Sequence, residues 1–182
     1  MLYWIIAAVV IALVIIYIQL RNGIVVADNR CDNAWETIDT QLQRRNDLIP
    51  NLVETVKGYA SHESETFEKV TQARAAVAGA TSPEEKMEAS NALTGTLKTL
   101  FAVAEAYPEL KANTNFQQLQ AELSETEDKI SWARQSYNDC VLNYNNAIET
   151  FPGSLIAGSA FKPRKGFEVM DAAARQAPQV KF

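Results

Sequence analysis

One histidine and two cysteines leave this chain of 182 residues with little material for chemistry near neutral pH. The histidine, His62, stands beside Glu63 on what reads as an exposed turn, where a lone imidazole is ordinarily just solvated. A nucleophile–base–orienter set would have to use it, and no Ser or Cys carries a local cue that pairs it there. CxxC, HExxH, the Walker loop, the nucleophile elbow and the dinucleotide fingerprint are all missing. No Glu-x-x-His pair offers a di-iron site. These gaps speak against an enzyme, a cofactor, a metal and a small-molecule substrate.

Clustered basic charge is also lacking. The 17 Lys and Arg are spread among 22 Asp and Glu, for a net charge of −5, so nothing is arranged to neutralise the phosphates of a nucleic acid. No β-hairpin signal, low-complexity tract or internal repeat appears. Cys31 and Cys140 both fall on apolar helical stripes, where a free Cys acts as a small hydrophobe. A disulfide between the first and third long helices is the alternative outside the cytoplasm, and two cysteines do not assign a compartment.

What the chain does have is a charge-free apolar run, Leu2–Ile18, of about 17 residues, within reach of the roughly 20 needed to span a bilayer. Gln19 and Leu20 extend it to Arg21 at the headgroups; Tyr3, Trp4 and Tyr17 lie at its ends, where aromatic rings prefer the interface. The rival is a cleaved signal peptide, with Val25-Val26-Ala27 as its processing point. The length of the run and the lack of Lys or Arg before it favour an uncleaved anchor. Arg21 and Arg30 then vote for an outside amino terminus and a cytoplasmic domain, a vote offset by Asp28 and Asp32, so the side of the membrane stays open.

From Cys31 onward apolar residues recur at 3-4 spacing: Cys31, Trp35, Ile38, Leu42, then Ile49, Leu52, Val56, Tyr59, and later Val70, Ala73 and Val77. This is the period of long helices packed side by side. An unbroken helix over Ile24–Val77, rising about 1.5 Å per residue, would be roughly 80 Å long. Gly23 is its one weak joint to the span; Pro50 is expected to kink or break it, and the apolar register that continues across it unshifted favours a kinked continuous helix over two separate ones. Ser82-Pro83-Glu84-Glu85 reads as a helix start, with Ser as the cap, Pro first and acids in the first turn. That second helix carries Met87, Leu93, Leu97, Leu100, Phe101, Ala104 and Tyr107 inward and ends near Pro108. Gly95 inside it costs about 1 kcal/mol relative to Ala, which suggests a close helix crossing. A third helix, from about Thr114 to Phe151, presents Phe116, Leu119, Leu123, Ile130, Ala133, Tyr137, Tyr144, Ile148 and Phe151, its last turns loosened by Asn143–Asn146. Beyond Phe151-Pro152-Gly153, Leu155–Phe161 is small and apolar, Lys162–Gly166 is basic and loop-like, and Phe167–Arg175 suits a short helix.

The expected fold is all-α: an N-terminal transmembrane helix continuing into an antiparallel bundle of three long helices plus a short C-terminal helical element. The divisions are 1–20 for the anchor, 21–153 for the bundle and 154–182 for a tail that docks on the bundle, a neighbour or the membrane.

Polar residues on the stripe are the interaction candidates. Arg45 falls between Leu42 and Ile49, and a guanidinium facing a core must be paired; Glu127, Asp128 or Asp47 are the partners at hand. Arg134 is set to meet Asp39 or Glu36. Tyr137-Asn138 and Tyr144-Asn145, seven residues apart, put two tyrosines on one face with asparagines beside them. They are core tyrosines with hydroxyls at the edge, or else the lining of a peptide groove. In the tail, Leu155, Ile156, Phe161 and Phe167 with Lys162, Arg164 and Lys165 would suit a lipid interface, although packing on the chain's own bundle is favoured.

The stretch Ala34–Ala60, AWETIDTQLQRRNDLIPNLVETVKGYA, places Arg44-Arg45 just before Asp47-Leu48-Ile49-Pro50-Asn51. With Phe151-Pro152 through Leu155-Ile156-Ala157-Gly158 to Phe161, and the closing Ala177-Pro178-Gln179-Val180-Lys181-Phe182, it resembles the LemA family of bacterial membrane proteins. The resemblance puts its signature on Arg44, Arg45, Asp47, Pro50 and Asn51 without a catalytic role. It also implies a bacterial inner-membrane location. Relatives in that family are associated with magnetosome membranes and with membrane proteases, which implies an organising role. The expectation is therefore a non-enzymatic, single-pass scaffold that forms homo-oligomers or holds partners at the membrane. The alternative is an adaptor or peptide-binding module working with a membrane or envelope protease.

Overall fold

A single α-helix, α1 (Leu2–Lys57), carries the chain from its apolar amino-terminal run into the packed part of the protein. The computed structural model describes residues 1–167, and every regular element among them is a helix: α2 (Ser64–Gly79), α3 (Pro83–Glu105), α4 (Pro108–Ala112), α5 (Thr114–Glu149) and α6 (Gly153–Ala157) follow. The expected all-α fold is present. Gly23 does not interrupt α1, and neither does Pro50, whose ring lies on the exposed side of the helix. The apolar register on the opposite side is thus kept, with Ile49, Leu52 and Val56 all buried.

The helix stops twenty residues short of the expected Val77, and the physical reason lies in Gly58-Tyr59-Ala60. The Val56 carbonyl accepts from the amides of both Tyr59 and Ala60, at 3.0 and 2.9 Å, which tightens the last turn. The chain then reverses through Ser61-His62-Glu63. Ala60 is buried in place of the expected Tyr59, whose hydroxyl accepts from Asn113 at 2.9 Å. A 3-4 stripe survives such a reversal because α2 offers Phe67, Val70 and Val77 to the same core.

The chain divides into two compact units. One holds Met1–Gln41 with Asp128–Gly166, the other Leu42–Glu127; α1 and α5 contribute to both. In the second unit Leu52 and Val56 of α1, Phe67 and Val70 of α2, Leu93, Leu97 and Leu100 of α3, Leu110 of α4 and Phe116 and Leu123 of α5 share one apolar core. Phe101 and Phe116 meet edge to face at 6.4 Å. The helix starts are built as expected. Ser82 Oγ accepts from the Glu85 amide, the Glu85 side chain reaches back to the Ser82 amide, and Pro83 takes the first helical position. Asn113 caps α5, its Oδ1 accepting from the Phe116 amide at 3.0 Å. Gly95 does not mark a close helix crossing: it is exposed and a Cβ there would meet nothing.

In the first unit α1 and α5 run antiparallel. Trp35 packs edge to face on Tyr137 at 5.7 Å, and Ile24, Cys31 and Ile38 are buried together with Ile130, Val141, Tyr144 and Ile148. Asn143–Asn146 does not loosen α5, which holds to Glu149. After it, Gly153 packs so closely on the Ala147 carbonyl that a Cβ would overlap it. Residues 1–19 are covered by nothing in the described chain, and α1 is long and apolar enough there to cross a membrane. Cys31 and Cys140 are free thiols, the former fully buried. The expected helix Phe167–Arg175 and the closing Ala177–Phe182 lie outside the described residues, apart from Phe167 itself, which is buried.

Candidate functional site

Arg45 is 0% exposed, and four contacts hold its guanidinium inside the second unit. Nη1 donates to Glu127 Oε1 at 2.7 Å and to Thr94 Oγ1 at 2.9 Å; Nη2 donates to Ser90 Oγ at 2.7 Å and to the Ser90 carbonyl at 3.2 Å. Three helices are thereby tied at one level: α1 brings the cation, α5 the carboxylate and α3 the hydroxyls. Of the three expected partners the structure selects Glu127, while Asp47 and Asp128 are exposed. Nε of Arg45 and Oδ1 of the neighbouring Asn46 are buried with no protein partner. The Asn46 carbonyl, one turn before Pro50 and so deprived of a helical amide, accepts instead from Arg74 Nε at 3.1 Å.

The rest of the signature faces outward. Arg44, Asp47, Pro50 and Asn51 are all exposed on α1. Asn51 lines an open groove of about 530 Å³ with Leu48 of α1 and Asn115, Gln118 and Leu119 of α5. Thr55 and the carboxylates Glu54 and Glu122 line it as well.

The Tyr–Asn face of α5 is brought together in the first unit, and it is occupied. The irregular stretch Lys162–Gly166 lies on it. Tyr137 Oη donates to the Lys165 carbonyl at 3.3 Å and Tyr144 Oη to the Lys162 carbonyl at 3.1 Å. Asn145 grips Arg164 from both sides, its Nδ2 donating to the carbonyl and its Oδ1 accepting from the amide, each at 2.9 Å. The Arg164 side chain crosses the Tyr144 ring at 5.7 Å and reaches α1, where Nε and Nη2 meet Asp28 and Nη1 meets Asp32, all at 2.7 Å. Gly166 comes so near Asn138 that a Cβ would stand 3.0 Å from its Oδ1. Arg134 is half-buried one turn further along α5, as is Phe161 just ahead of the held stretch, whereas Phe151 is 79% exposed instead of lying on the apolar stripe.

The electrostatics follow from this packing. Burial alone would lower the pKa of Arg164, but the hydrogen bonds and charges of Asp32 and Asp28 raise it well above its ordinary value. Burial pushes the Tyr144 phenol up, helped by the Asp28 charge. Burial also pushes the Cys31 thiol up, against the opposing pull of Arg164, so Cys31 is a neutral thiol and not a nucleophile at neutral pH. His62 is exposed in the turn after α1. Among the described residues no group of three or more His, Cys, Asp or Glu is placed to hold a metal ion. What both sites can do is hold backbone and side chains of a polypeptide in register.

Arg164, Asp28 and Asp32 were not legible as a site in the sequence. The two aspartates read there only as offsets to Arg21 and Arg30, and the tail arginine as part of a segment packed on the bundle or set at a lipid interface, with no partner named. Their one sequence-level cue was the i, i+4 spacing of the aspartates, which puts both on one helical face. Ser90 and Thr94 share that spacing and were passed over as ordinary polar positions.

The LemA family model matches residues 34–182, a range containing Arg45 with its three contact residues and the whole Tyr–Asn face. Protein LemA of Metamycoplasma hominis is 30% identical over 146 residues, 78% of this chain and 65% of that relative's length. With a matched range that takes in the Arg45 cluster, the Tyr–Asn face and most of the helical core, the chain belongs to the LemA family.

Proposed function

We propose that this protein is a non-enzymatic, single-pass scaffold of the bacterial inner membrane that assembles with copies of itself or organises partners there. The observation that carries this reading is the unbroken course of α1, in which the bare apolar segment and the packed face of the protein are one helix. No linker separates the bare segment from the helix that carries the exposed signature residues Arg44, Asp47 and Asn51. Arg21 and Arg30, on the polar side of the span, favour a cytoplasmic domain.

The test is the mass and shape of the full-length protein in a mild detergent or native lipid particles, by light scattering and electron microscopy. A closed assembly of many copies is expected, and a monomer would overturn self-assembly as the function.

A second reading, an adaptor working with a membrane or envelope protease, has one specific observation in its favour. The Tyr137–Asn145 face with Asp28 and Asp32 already holds a basic peptide, by backbone contacts and a charge-assisted fork. On this reading Tyr144→Ala abolishes partner capture in membranes. On the scaffold reading it only destabilises the chain.

A further inference from the structure

We infer that the turn Phe151–Leu155 enters the lipid bilayer beside α1 and gives the protein a second, interfacial membrane contact. This rests on α1 being the membrane anchor. The argument is one of register inside the first unit. Trp35 of α1 faces Tyr137 of α5. Seven residues back along α1 and seven forward along α5, Asp28 and Tyr144 stand at one level, both contacted by Arg164. Followed to the end of α5 at Glu149, the pairing comes to within a turn of Arg21, and Phe151 follows two residues later in the turn; at Arg21 the charge-free run of α1 ends and its Nη1 donates to Tyr17 Oη at 3.2 Å.

Phe151 has the sequence spacing of Tyr137 and Tyr144 but lies two residues past the end of α5, and where those are buried it is 79% exposed. Ile24 and Ile148 are the last buried pair of the two helices; below them Leu20 is part-covered and residues 1–19 of α1 are bare. Leu155, 76% exposed on α6, adds a second large apolar side chain to the same turn. In water both would be left without apolar contact. At the level of Arg21 they meet the boundary between headgroups and acyl chains, where apolar side chains insert about 5–10 Å. A single spanning helix leaves its domain free to tilt; a second contact at the surface removes that freedom. No other element of the described chain covers the turn.

The experiment uses the full-length protein in nanodiscs of phosphatidylcholine and phosphatidylglycerol. An environment-sensitive fluorophore is attached at Leu155→Cys, at Ile11→Cys within the span, or at exposed Gln135→Cys, each in a Cys140→Ser background that keeps buried Cys31. Gln135 lies fourteen residues before the end of α5 at Glu149, roughly 21 Å at about 1.5 Å per residue. Lipids carrying a spin label near the top of the acyl chain are expected to quench the Leu155 label at least about threefold more than the Gln135 label. A Leu155 label quenched no more than that at Gln135, with Ile11 quenched, would overturn the inference and leave the anchor standing. An emission shifted to the blue but unquenched by lipid would also overturn it, since a protein surface would then cover the turn. An unquenched Ile11 label would sink the anchor itself and the inference with it. Phe151→Trp in the otherwise unaltered chain asks the same question without cysteine chemistry. Brominated lipids should quench its added fluorescence, and no added quenching over the parent would count against the contact.

Discussion

The guanidinium of Arg164 and the carboxylate of Asp28 lie 2.7 Å apart across 136 positions of sequence. Asp32, one turn along α1, takes the other side of the fork, so the stretch after α6 is tied to the helix that carries the apolar amino-terminal run. Arg164→Ala should release Lys162–Gly166. Charge-assisted bonds are worth about 1.5–3 kcal/mol when well shielded. Arg164 and Asp28 are 27% and 31% exposed and Asp32 is 56% exposed, so solvent screening brings the expected loss nearer about 1 kcal/mol. Hydrogen exchange at residues 162–166 should quicken several-fold, with α2 and α3 unchanged.

Arg45 and Glu127 should behave as a coupled pair. Arg45→Met leaves the Glu127 carboxylate without its cation; because that side chain is 38% exposed and water can meet it, the loss should fall below the about 3–5 kcal/mol of a fully buried pair. Arg45→Met combined with Glu127→Leu removes the orphaned charge as well. The double variant is expected to melt above the Arg45→Met single variant, a non-additivity that a double-mutant cycle measures directly. Additive losses would mean that the pair does not couple.

Leu52 is fully buried among the helices of the second unit. Leu52→Asp puts an unpaired carboxylate there and should abolish the cooperative melt, whereas Leu52→Ala should cost about 2–5 kcal/mol. Ile38 and Ile130 allow the same comparison in the first unit. Circular dichroism melts of the purified protein decide it, and an unaltered Leu52→Asp melt would refute the packing.

Acid should weaken the start of α3 specifically. The Glu85 carboxylate accepts from the backbone amides of Thr81 and Ser82 and from the Thr81 hydroxyl, which hold its pKa below the usual carboxylate value of 4.5. A lowered folded-state pKa means stability that is present above the unfolded value and lost as pH falls through the folded one. Glu85→Ala should therefore lower the melting temperature at pH 7. The gap from the parent should close as pH drops below about 4.5.

Two glycines should respond in opposite senses to alanine. At Gly95, in mid-helix with open space around it, Ala removes backbone freedom from the unfolded chain and should stabilise by up to about 1 kcal/mol. At Gly153 the added methyl would overlap the Ala147 carbonyl, so Gly153→Ala should lower the melting temperature and displace the turn after α5. Melts of the two variants beside the parent are sufficient.

Several of these features could be read from the sequence because they are local. The capping box at Ser82 and Glu85, the opening of α5 at Thr114 and the passage of the apolar register through Pro50 depend on residues within one or two turns of each other. Arg45 was legible as a cation needing a partner, because its place on the stripe leaves no route to water. The chain reversal after Lys57 was not legible. A heptad pattern describes which face of a helix is apolar and is silent on whether that face continues forward or folds back. Phe151 was misplaced for a related reason: its register is that of the core, but a register does not say where the partner helix stops being covered.

By itself, then, the sequence determined that the chain is helical, which faces are apolar, where α3 and α5 begin, and that its first helix is apolar enough to cross a membrane. Those properties follow from side-chain periodicity and capping, which act within a few residues. The tertiary structure decided that Glu127 answers Arg45, that Asp28 and Asp32 hold Arg164, and that the Tyr–Asn face is filled by the chain's own Lys162–Gly166. Each of these joins groups 82 to 136 positions apart or orders an irregular segment, and only the packing of helices against one another brings such groups within bonding distance.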